Sequence, residues 1–173
     1  MTDEQNVVYN TIVDAVYKDN GGLFFVYGYG GTGKTFVWKT LAAAIRSRGD
    51  IVINVDSSGI AALLLTGGRT AHSRFAIPIN VLEDSFCSIK KNSDLAALLN
   101  KAKLIIWDEA PMMYRHCFEA FDRTMRDIIV SPNRSSPFCG KVVFCGDFRQ
   151  ILPVIQRGTQ SEIVHASLHS SDL

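Results

Sequence analysis

The sequence predicts an α/β fold in which helices cover both faces of a mostly parallel sheet. Short runs that are almost wholly apolar alternate with longer segments whose apolar residues recur at helical spacing. Strands of this apolar kind are buried on both faces, which is typical of parallel sheets in α/β proteins. A glycine-rich loop follows the first apolar run, and acidic residues follow two later ones, where such sheets bind ligands. With 173 residues, 47% of them apolar, we expect a single domain over residues 1–173.

The first half of the chain is expected to contain two strands with helices beside them. A helix from Thr2 to Tyr17 is indicated because Val8, Ile12 and Val16 share one face, and a pair of glycines follows it. The next predicted elements are a strand from Leu23 to Tyr27, a helix from Gly33 to about Arg48, a strand from Ile51 to Val55 and a short helix from Ile60 to Leu65.

The second half begins with a long connection. Residues 66 to 92 have no clear period, and we expect this connection to be functional because structureless loops of such length are rare in compact domains. The predicted elements after it are a helix capped by Ser93 that runs through Leu99, a strand from Leu104 to Trp107, a helix from Cys117 to Ile129, a loop from Ser131 to Cys139, a strand from Val142 to Cys145 and a helix that begins at Thr159 with a capping box.

Composition and charge limit the classes of function. The formal net charge is +1, so any contact with nucleic acid must come from a local arrangement of residues. Four cysteines without C-x-x-C spacing indicate free thiols in a soluble protein of a reducing compartment. No uninterrupted apolar run approaches the roughly 18 residues of a membrane span, so we expect no contact with a membrane.

Residues 28 to 35 read Gly-Tyr-Gly-Gly-Thr-Gly-Lys-Thr, which is a complete Walker A phosphate loop placed directly after a predicted strand. Glycines allow backbone N–H groups to approach phosphate oxygens closely, and the helix that follows adds its positive dipole end. Lys34 is expected to reach the β- and γ-phosphates, and the Thr35 hydroxyl to complete the shell of a Mg²⁺ ion. The remaining predicted phosphate-binding residues are Gly28, Gly30, Gly31, Thr32 and Gly33.

Asp108 and Glu109 follow an apolar strand and have the form of a Walker B motif. Asp108 is expected to hold Mg²⁺, and Glu109 to orient and deprotonate the attacking water. The pattern alone is also explained by a solvated strand end, and the phosphate loop earlier in the chain favours the functional interpretation.

Two glutamines allow two interpretations each. Gln150 follows the last predicted strand and can donate to the γ-phosphate, or it can belong to a polar loop before Pro153. Gln5 fits a capping box with Thr2, or its amide can read the edge of an adenine base.

Several short segments occur along the chain in one recognisable order. They are residues 3–5, 28–35, 57–62, 67–73, 107–112, 122–124 and 146–153. In their residues and in their order along the chain, they resemble motifs of the Pif-type (petite integration frequency) helicases of superfamily 1B. The resemblance is strongest to the eukaryotic branch that includes the Helitron-transposon helicases. The resemblance implies a P-loop NTPase of the RecA-like three-layer sandwich type that uses ATP and Mg²⁺. It implies that Gln5 reads adenine and that Lys34, Glu109 and Gln150 are catalytic.

The same resemblance implies a DNA path and a larger protein. Family motifs that line the single strand match Ser57, Ser58, Thr70, His72 and Phe75. Phe75 is expected to stack on bases, with a core position as the alternative, and His72 either contacts phosphate oxygens or packs within its loop. Family members continue into a second RecA-like domain that supplies arginines to the transferring phosphate. We therefore expect residues 1–173 to bind Mg·ATP and to hydrolyse it slowly.

The implied function is that of the first motor domain of a 5′-to-3′ DNA helicase. Its expected partners are single-stranded DNA, forks or DNA secondary structures and the second RecA-like domain. Its expected setting is DNA repair, recombination, replication or telomere maintenance in the nucleus or mitochondrion. A phosphate loop is also found in stand-alone nucleotide switches and in small-molecule kinases, and these two alternatives stay open.

Overall fold

The fold is described from a computed structural model that covers residues 1–18, 21–130, 132–149, 152–155, 159–171 and 173. The strands within these residues are β1 (Leu23–Tyr27), β2 (Ile51–Asp56), β3 (Arg69–Thr70), β4 (Ala102–Asp108) and β5 (Val142–Gly146). The α-helices are α1 (Asp3–Tyr17), α2 (Lys34–Arg46), α3 (Gly59–Ala62), α4 (Ala71–Phe75), α5 (Asp94–Lys101), α6 (Arg115–Ile128) and α7 (Gln160–His165). Short 3-10 turns are formed by Ala110–Met112, Pro132–Ser135, Pro137–Gly140 and Leu168–Ser170.

The strands form one sheet in the order β1-β5-β4-β2-β3, and every pairing is parallel. The order places β5, the last strand in the chain, between β1 and β4. Because the strands are parallel, the carboxyl ends of β1, β5, β4 and β2 share one edge of the sheet. The phosphate loop and both acidic segments follow these ends, so the fold gathers the predicted motifs at this edge.

The sheet has a hydrophobic core on each face, which gives three layers. Alternate residues of β4 point to opposite faces, so Ile105 and Trp107 enter one core while Leu104 and Ile106 enter the other. The first core is completed largely by α5 and α6, and the second by α1 and α2. The predicted class, a mostly parallel sheet covered on both faces, is confirmed.

The connection over residues 66 to 92 is more regular than its sequence predicts. It contains β3 and α4, because Val55 and Asp56 pair with Arg69 and Thr70, and the Thr70 hydroxyl then caps α4 by accepting from the Ser73 N–H (3.3 Å). These elements depend on the neighbouring strand β2, so the local sequence pattern does not predict them. Likewise, the predicted loop from residue 131 to Cys139 contains 3-10 turns.

The helix ends agree with the capping signals in the sequence. Thr2 with Gln5, and Thr159 with Glu162, form complete capping boxes, and the Ser93 side chain caps α5. Several predicted boundaries shift by one to three residues; for example, α2 begins at Lys34 and ends at Arg46, and the short helix after β2 covers Gly59–Ala62.

Gly146 allows the end of β5 to approach the turn that follows β4. Its φ is +153°, and a Cβ at this position would lie 2.3 Å from Cδ of Pro111, which is too close for any larger residue. This close approach places the segment after β5 beside Asp108 and Glu109.

Two further findings concern predictions from composition. Cys87, Cys117, Cys139 and Cys145 are all buried with free thiols, as predicted. In the part of the chain that the structure describes, no helix has both the length and the apolar character needed to cross a membrane.

Candidate nucleotide-binding site

The loop between β1 and α2 has the backbone of an anion-binding site. Gly31 and Gly33 adopt left-handed conformations, with φ of +83° and +78°, and such alternation turns successive N–H groups toward one side. Gly33 is the N-cap of α2 and no side chain caps this helix, so the positive end of the helix faces the loop without a competing side chain. Gly30, Gly31 and Thr32 are exposed, and Gly28 and Gly33 are half-buried.

Lys34 lies between the phosphate loop and the segment after β4. Its Nζ donates to the carbonyl oxygens of Gly28 (2.5 Å) and Tyr29 (3.3 Å), and it lies 3.9 Å from Oε1 of Glu109. The fold therefore brings together two residues that are distant in sequence and were predicted to act on the same phosphate. The ammonium is held by oxygen atoms that phosphate oxygens can replace.

Asp108 and Glu109 differ in their surroundings although they are adjacent. Asp108 is buried at the end of β4, and its Oδ1 accepts from the Glu109 N–H (3.1 Å). Glu109 has a left-handed backbone with φ of +47°. This conformation is strained for any residue other than glycine, and such strain is common at functional sites. Burial, and then the charge of Asp108, raise the pKa of Glu109, which moves this carboxyl toward the range useful to a general base.

The donor atoms near the loop suit a magnesium ion. Thr35 offers a hydroxyl and Asp108 a carboxylate, and Mg²⁺ prefers such hard oxygen donors, usually with one or two protein ligands besides phosphates and waters. Within the described residues, no group of three or more histidine, cysteine or acidic side chains could hold a metal by itself. The residues present thus fit a metal that enters together with a triphosphate.

Gln5 connects the start of α1 to the phosphate loop. Its Oε1 accepts from the Thr2 N–H (3.0 Å), and its Nε2 donates to the carbonyl of Thr32 (2.9 Å). The amide also lines a cavity of about 260 Å³ beside the loop, together with Tyr27 and Lys34. The capping-box interpretation is confirmed, and adenine recognition stays a prediction that this location allows.

Asp56 is a functional candidate that the sequence analysis missed. It is paired in register with Asp108 on the adjacent strand, it is 1% exposed, and its Oδ1 accepts from the Ser58 N–H (2.7 Å). Burial, with the charges of Asp108 and Glu109 adding to it, raises the pKa of Asp56 to about 7. The signal available in the sequence was an acid at the end of the apolar run over residues 51–55.

We predict that Asp56 makes the folded chain less stable as pH rises. Its pKa is about 7 in the folded state against an ordinary value of 3.8, so the folded state binds more protons than the unfolded state between these values. The contribution of Asp56 to the free energy of unfolding should fall from about pH 4 to pH 7 and level off above that range. Asp56→Asn keeps an oxygen for the Ser58 N–H and should stabilise the chain at pH 8 by about 2–4 kcal/mol.

Urea unfolding of both proteins between pH 4 and pH 8, without metal or nucleotide, measures this effect. Equal pH dependence of the two proteins would contradict the role given to Asp56.

The candidate DNA contacts lie at or after the carboxyl ends of β2 and β3, but they are not equivalent. Ser57 accepts from the indole N–H of Trp107 (3.2 Å), and Thr70 is occupied as the cap of α4. His72 is exposed, and it lines with Ser57 an open cavity of about 620 Å³. Ser58 is half-buried next to Ser57.

Phe75 requires a correction, because the structure contradicts its predicted role in base stacking. Its side chain is 0% exposed and belongs to the core. The ring stacks on Phe121 with centroids 4.0 Å apart and lies 5.6 Å from Trp107. The protein encloses the ring completely, so no face of it is available to a base.

The segment after β5 contains two residues of interest for the nucleotide site, Gln150 and Arg149, and only the first was predicted from the sequence. Gln150, predicted to contact the γ-phosphate, lies outside the described residues. Arg149 was given no role, yet its Nη1 donates to the hydroxyl of Tyr29 in the phosphate loop (3.1 Å).

Comparison with known proteins identifies relatives of this chain. The family model described as PIF1-like helicase matches residues 1–173. The chain is 29% identical to the ATP-dependent DNA helicase PIF4 of Trypanosoma brucei brucei over 83% of this chain and 18% of that protein. It is 30% identical to the ATP-dependent DNA helicase Pif1 of Campylobacter jejuni over 82% of this chain and 31% of that protein.

Solved structures show the same likeness. A crystal structure of Pif1 helicase from Bacteroides in complex with ADP-AlF3 and single-stranded DNA matches with a TM-score of 0.72 and 31% identity over 94% of this chain and 36% of that one. The crystal structure of the Candida albicans Pif1 helicase matches in fold, with a TM-score of 0.74 at 23% identity. The chain thus spans about a third or less of the length of these relatives.

The sheet order, the phosphate loop and these matches agree with one another. They confirm the fold as that of a RecA-like P-loop NTPase, and they confirm the family indicated by the motifs. The chain belongs to the PIF1-like helicase family.

Proposed function

We propose that residues 1–173 form the first motor domain of an ATP-dependent 5′-to-3′ DNA helicase. The observation that carries the proposal is the meeting of Lys34 and Glu109, 3.9 Å apart, at the mouth of a glycine loop that can bind phosphates. The family adds support, because a relative of 31% identity is described in complex with ADP-AlF3 and single-stranded DNA. Arrangements of this kind bind a triphosphate and activate a water molecule next to it.

Each residue has a distinct part in the proposed reaction. The loop N–H groups and the start of α2 hold the phosphates, and Lys34 leaves the carbonyls of Gly28 and Tyr29 to neutralise the β- and γ-phosphates. Glu109, with its raised pKa, takes a proton from the attacking water. Gln5 orients the base through its amide.

Thr35 and Asp108 would hold Mg²⁺, which supplies charge neutralisation for the departing phosphate when it is bound. The buried position of Asp108, fixed by the Glu109 N–H, keeps the carboxylate oriented at the end of β4.

The DNA side of the proposal uses the open cavity that Ser57 and His72 line. Ser57, Ser58, Thr70 and His72 supply hydroxyl and imidazole groups for phosphate oxygens of a single strand. We propose that single-stranded DNA, forks or DNA secondary structures are the partners, in DNA repair, recombination, replication or telomere maintenance in the nucleus or mitochondrion. A second RecA-like domain would complete the motor, since the relatives are about three times as long as this chain or longer.

The proposal is tested on the protein produced from the whole reading frame that contains these residues. We expect ATP-dependent unwinding of a fork with a 5′ single-stranded tail, and hydrolysis stimulated by single-stranded DNA. Lys34→Ala should abolish both activities, because the phosphates lose their principal cation. Unwinding that survives Lys34→Ala would contradict the proposal.

A further inference from the structure

Tyr29 and Arg149 join the phosphate loop to the segment that follows β5. Nη1 of Arg149 donates to the Tyr29 hydroxyl at 3.1 Å, and the guanidinium carbon lies 5.6 Å from the centre of the tyrosine ring. Tyr29 is the second residue of the loop, and Arg149 stands two positions after Asp147. The contact therefore bridges two segments that both border the expected position of the phosphates.

The backbone on the Arg149 side is anchored. The Arg149 N–H donates to Oδ1 of Asp147 at 2.9 Å, and the ring of Phe148 stacks on Phe25 of β1 with centroids 5.1 Å apart. On the other side, the Tyr29 ring packs edge-on against Tyr27, with centroids 5.5 Å apart. These anchors hold the Arg149 side chain beside the phosphate loop.

The contact leaves other donors of the guanidinium for a ligand, because the Tyr29 hydroxyl accepts from Nη1 and a guanidinium carries five N–H donors. Both side chains are exposed, and an exposed contact of this kind adds little to folding stability. The guanidinium is placed on a phenol, which is neutral, whereas phosphate oxygens offer charge-assisted and bidentate hydrogen bonds to the same group. A triphosphate in the loop would therefore attract the remaining donors of Arg149, while the Tyr29 hydroxyl keeps Nη1 in place.

Lys34 connects this contact to the loop backbone. Its Nζ donates to the carbonyl of Tyr29 at 3.3 Å, so the movement of Lys34 toward phosphates changes the hydrogen bonding of the same residue that holds Arg149. Tyr29 thus contacts both cations, one through its backbone and one through its side chain.

We propose that Arg149, positioned by Tyr29, contacts the terminal phosphate of a bound triphosphate and lets this domain distinguish ATP from ADP. The inference rests on the proposed binding of nucleotide at the phosphate loop. It assigns a phosphate-contacting arginine to the domain itself, in addition to any that a second domain supplies. Tyr29 acts through Arg149 and is a positioning residue.

Calorimetric titration of the chain with ADP and with a non-hydrolysable ATP analogue, both with Mg²⁺, tests the inference. Arg149→Gln should raise the Kd of the analogue about tenfold, because one charge-assisted contact is lost. The Kd of ADP should rise less than about twofold. Tyr29→Phe keeps the ring and removes the hydroxyl, and it should raise the Kd of the analogue about threefold. In a chain that already carries Arg149→Gln, the same change should not raise this Kd further. Arg48→Gln is the matched control, because it removes a similar arginine–tyrosine contact outside the phosphate loop. The guanidinium carbon of Arg48 lies 4.0 Å from the centre of the Tyr17 ring.

Three outcomes would overturn the inference. An equal loss of affinity for both nucleotides would show a general structural effect, and unchanged affinities would show that Arg149 does not reach the phosphate. Wild-type chain that is folded but binds neither nucleotide would refute the proposed function as well, which separates that failure from the other two.

Discussion

Glu109→Gln is expected to lower ATP hydrolysis by about 10²–10⁴-fold while leaving nucleotide binding intact. The amide keeps the size of the carboxylate but cannot accept a proton from the attacking water. Binding should persist or strengthen, because the change removes a negative charge that lies 3.9 Å from Nζ of Lys34 and close to the phosphates. Single-turnover hydrolysis and a nucleotide titration measure the two quantities separately.

Glu119→Gln is a suitable control for that experiment. Glu119 is also half-buried, but its carboxylate contacts His116 (2.6 Å) and Ser171 (2.9 Å), neither of which belongs to the nucleotide site. We expect its hydrolysis rate to stay within about threefold of the wild-type rate, provided that the chain is folded. If Glu109→Gln hydrolysed ATP as fast as this control, Glu109 could not be the general base.

Phe75→Ala is expected to be among the most destabilising substitutions in the chain, at about 3–5 kcal/mol. The substitution leaves a cavity between Phe121 and Trp107, the two aromatic residues that the ring contacts. For a domain of this size, the loss corresponds to a decrease in Tm of roughly 6–20 °C. Thermal and urea unfolding measure it directly, with Phe75→Leu expected to cost less because it refills part of the cavity.

Phe86→Ala is the matched control for Phe75. Phe86 is 54% exposed, so its removal should change stability by less than about 1 kcal/mol. If Phe75 acted in base stacking, Phe75→Ala would weaken binding of single-stranded DNA with little change in stability. That result would contradict its assignment to the core.

The strands and the motif positions were predictable because their signals are local. Leu23–Tyr27 is an apolar run bounded by glycines, and its predicted limits are those of β1. Asp108 and Glu109 follow an apolar strand, so the parallel sheet by itself brings them to the ligand-binding edge. The capping boxes were equally readable, because Thr2 and Thr159 need only a partner three residues later.

Other features depend on contacts between distant residues and carry no local signal. Arg69 and Thr70 form a strand only because β2 pairs with them. The pairing of Asp56 with Asp108 follows from the order of strands in the sheet, as does the approach of Arg149 to Tyr29. Phe75 was assigned to DNA through the motif that contains it, whereas its burial is decided by the side chains of α6 and β4.

Nucleotide binding at the phosphate loop is best tested by calorimetric titration of the chain with ATP, in the presence and absence of Mg²⁺, for wild type and Lys34→Ala. We expect the wild type to bind ATP, and to bind it more tightly when Mg²⁺ is present. We expect at least about a tenfold loss of ATP affinity in Lys34→Ala. The fold of this variant should be unchanged, because the polar contacts of the Lys34 ammonium within the described residues are with loop carbonyls and Glu109. Equal binding by the two folded proteins, or no binding by the wild type, would contradict the claim that this loop is a nucleotide site.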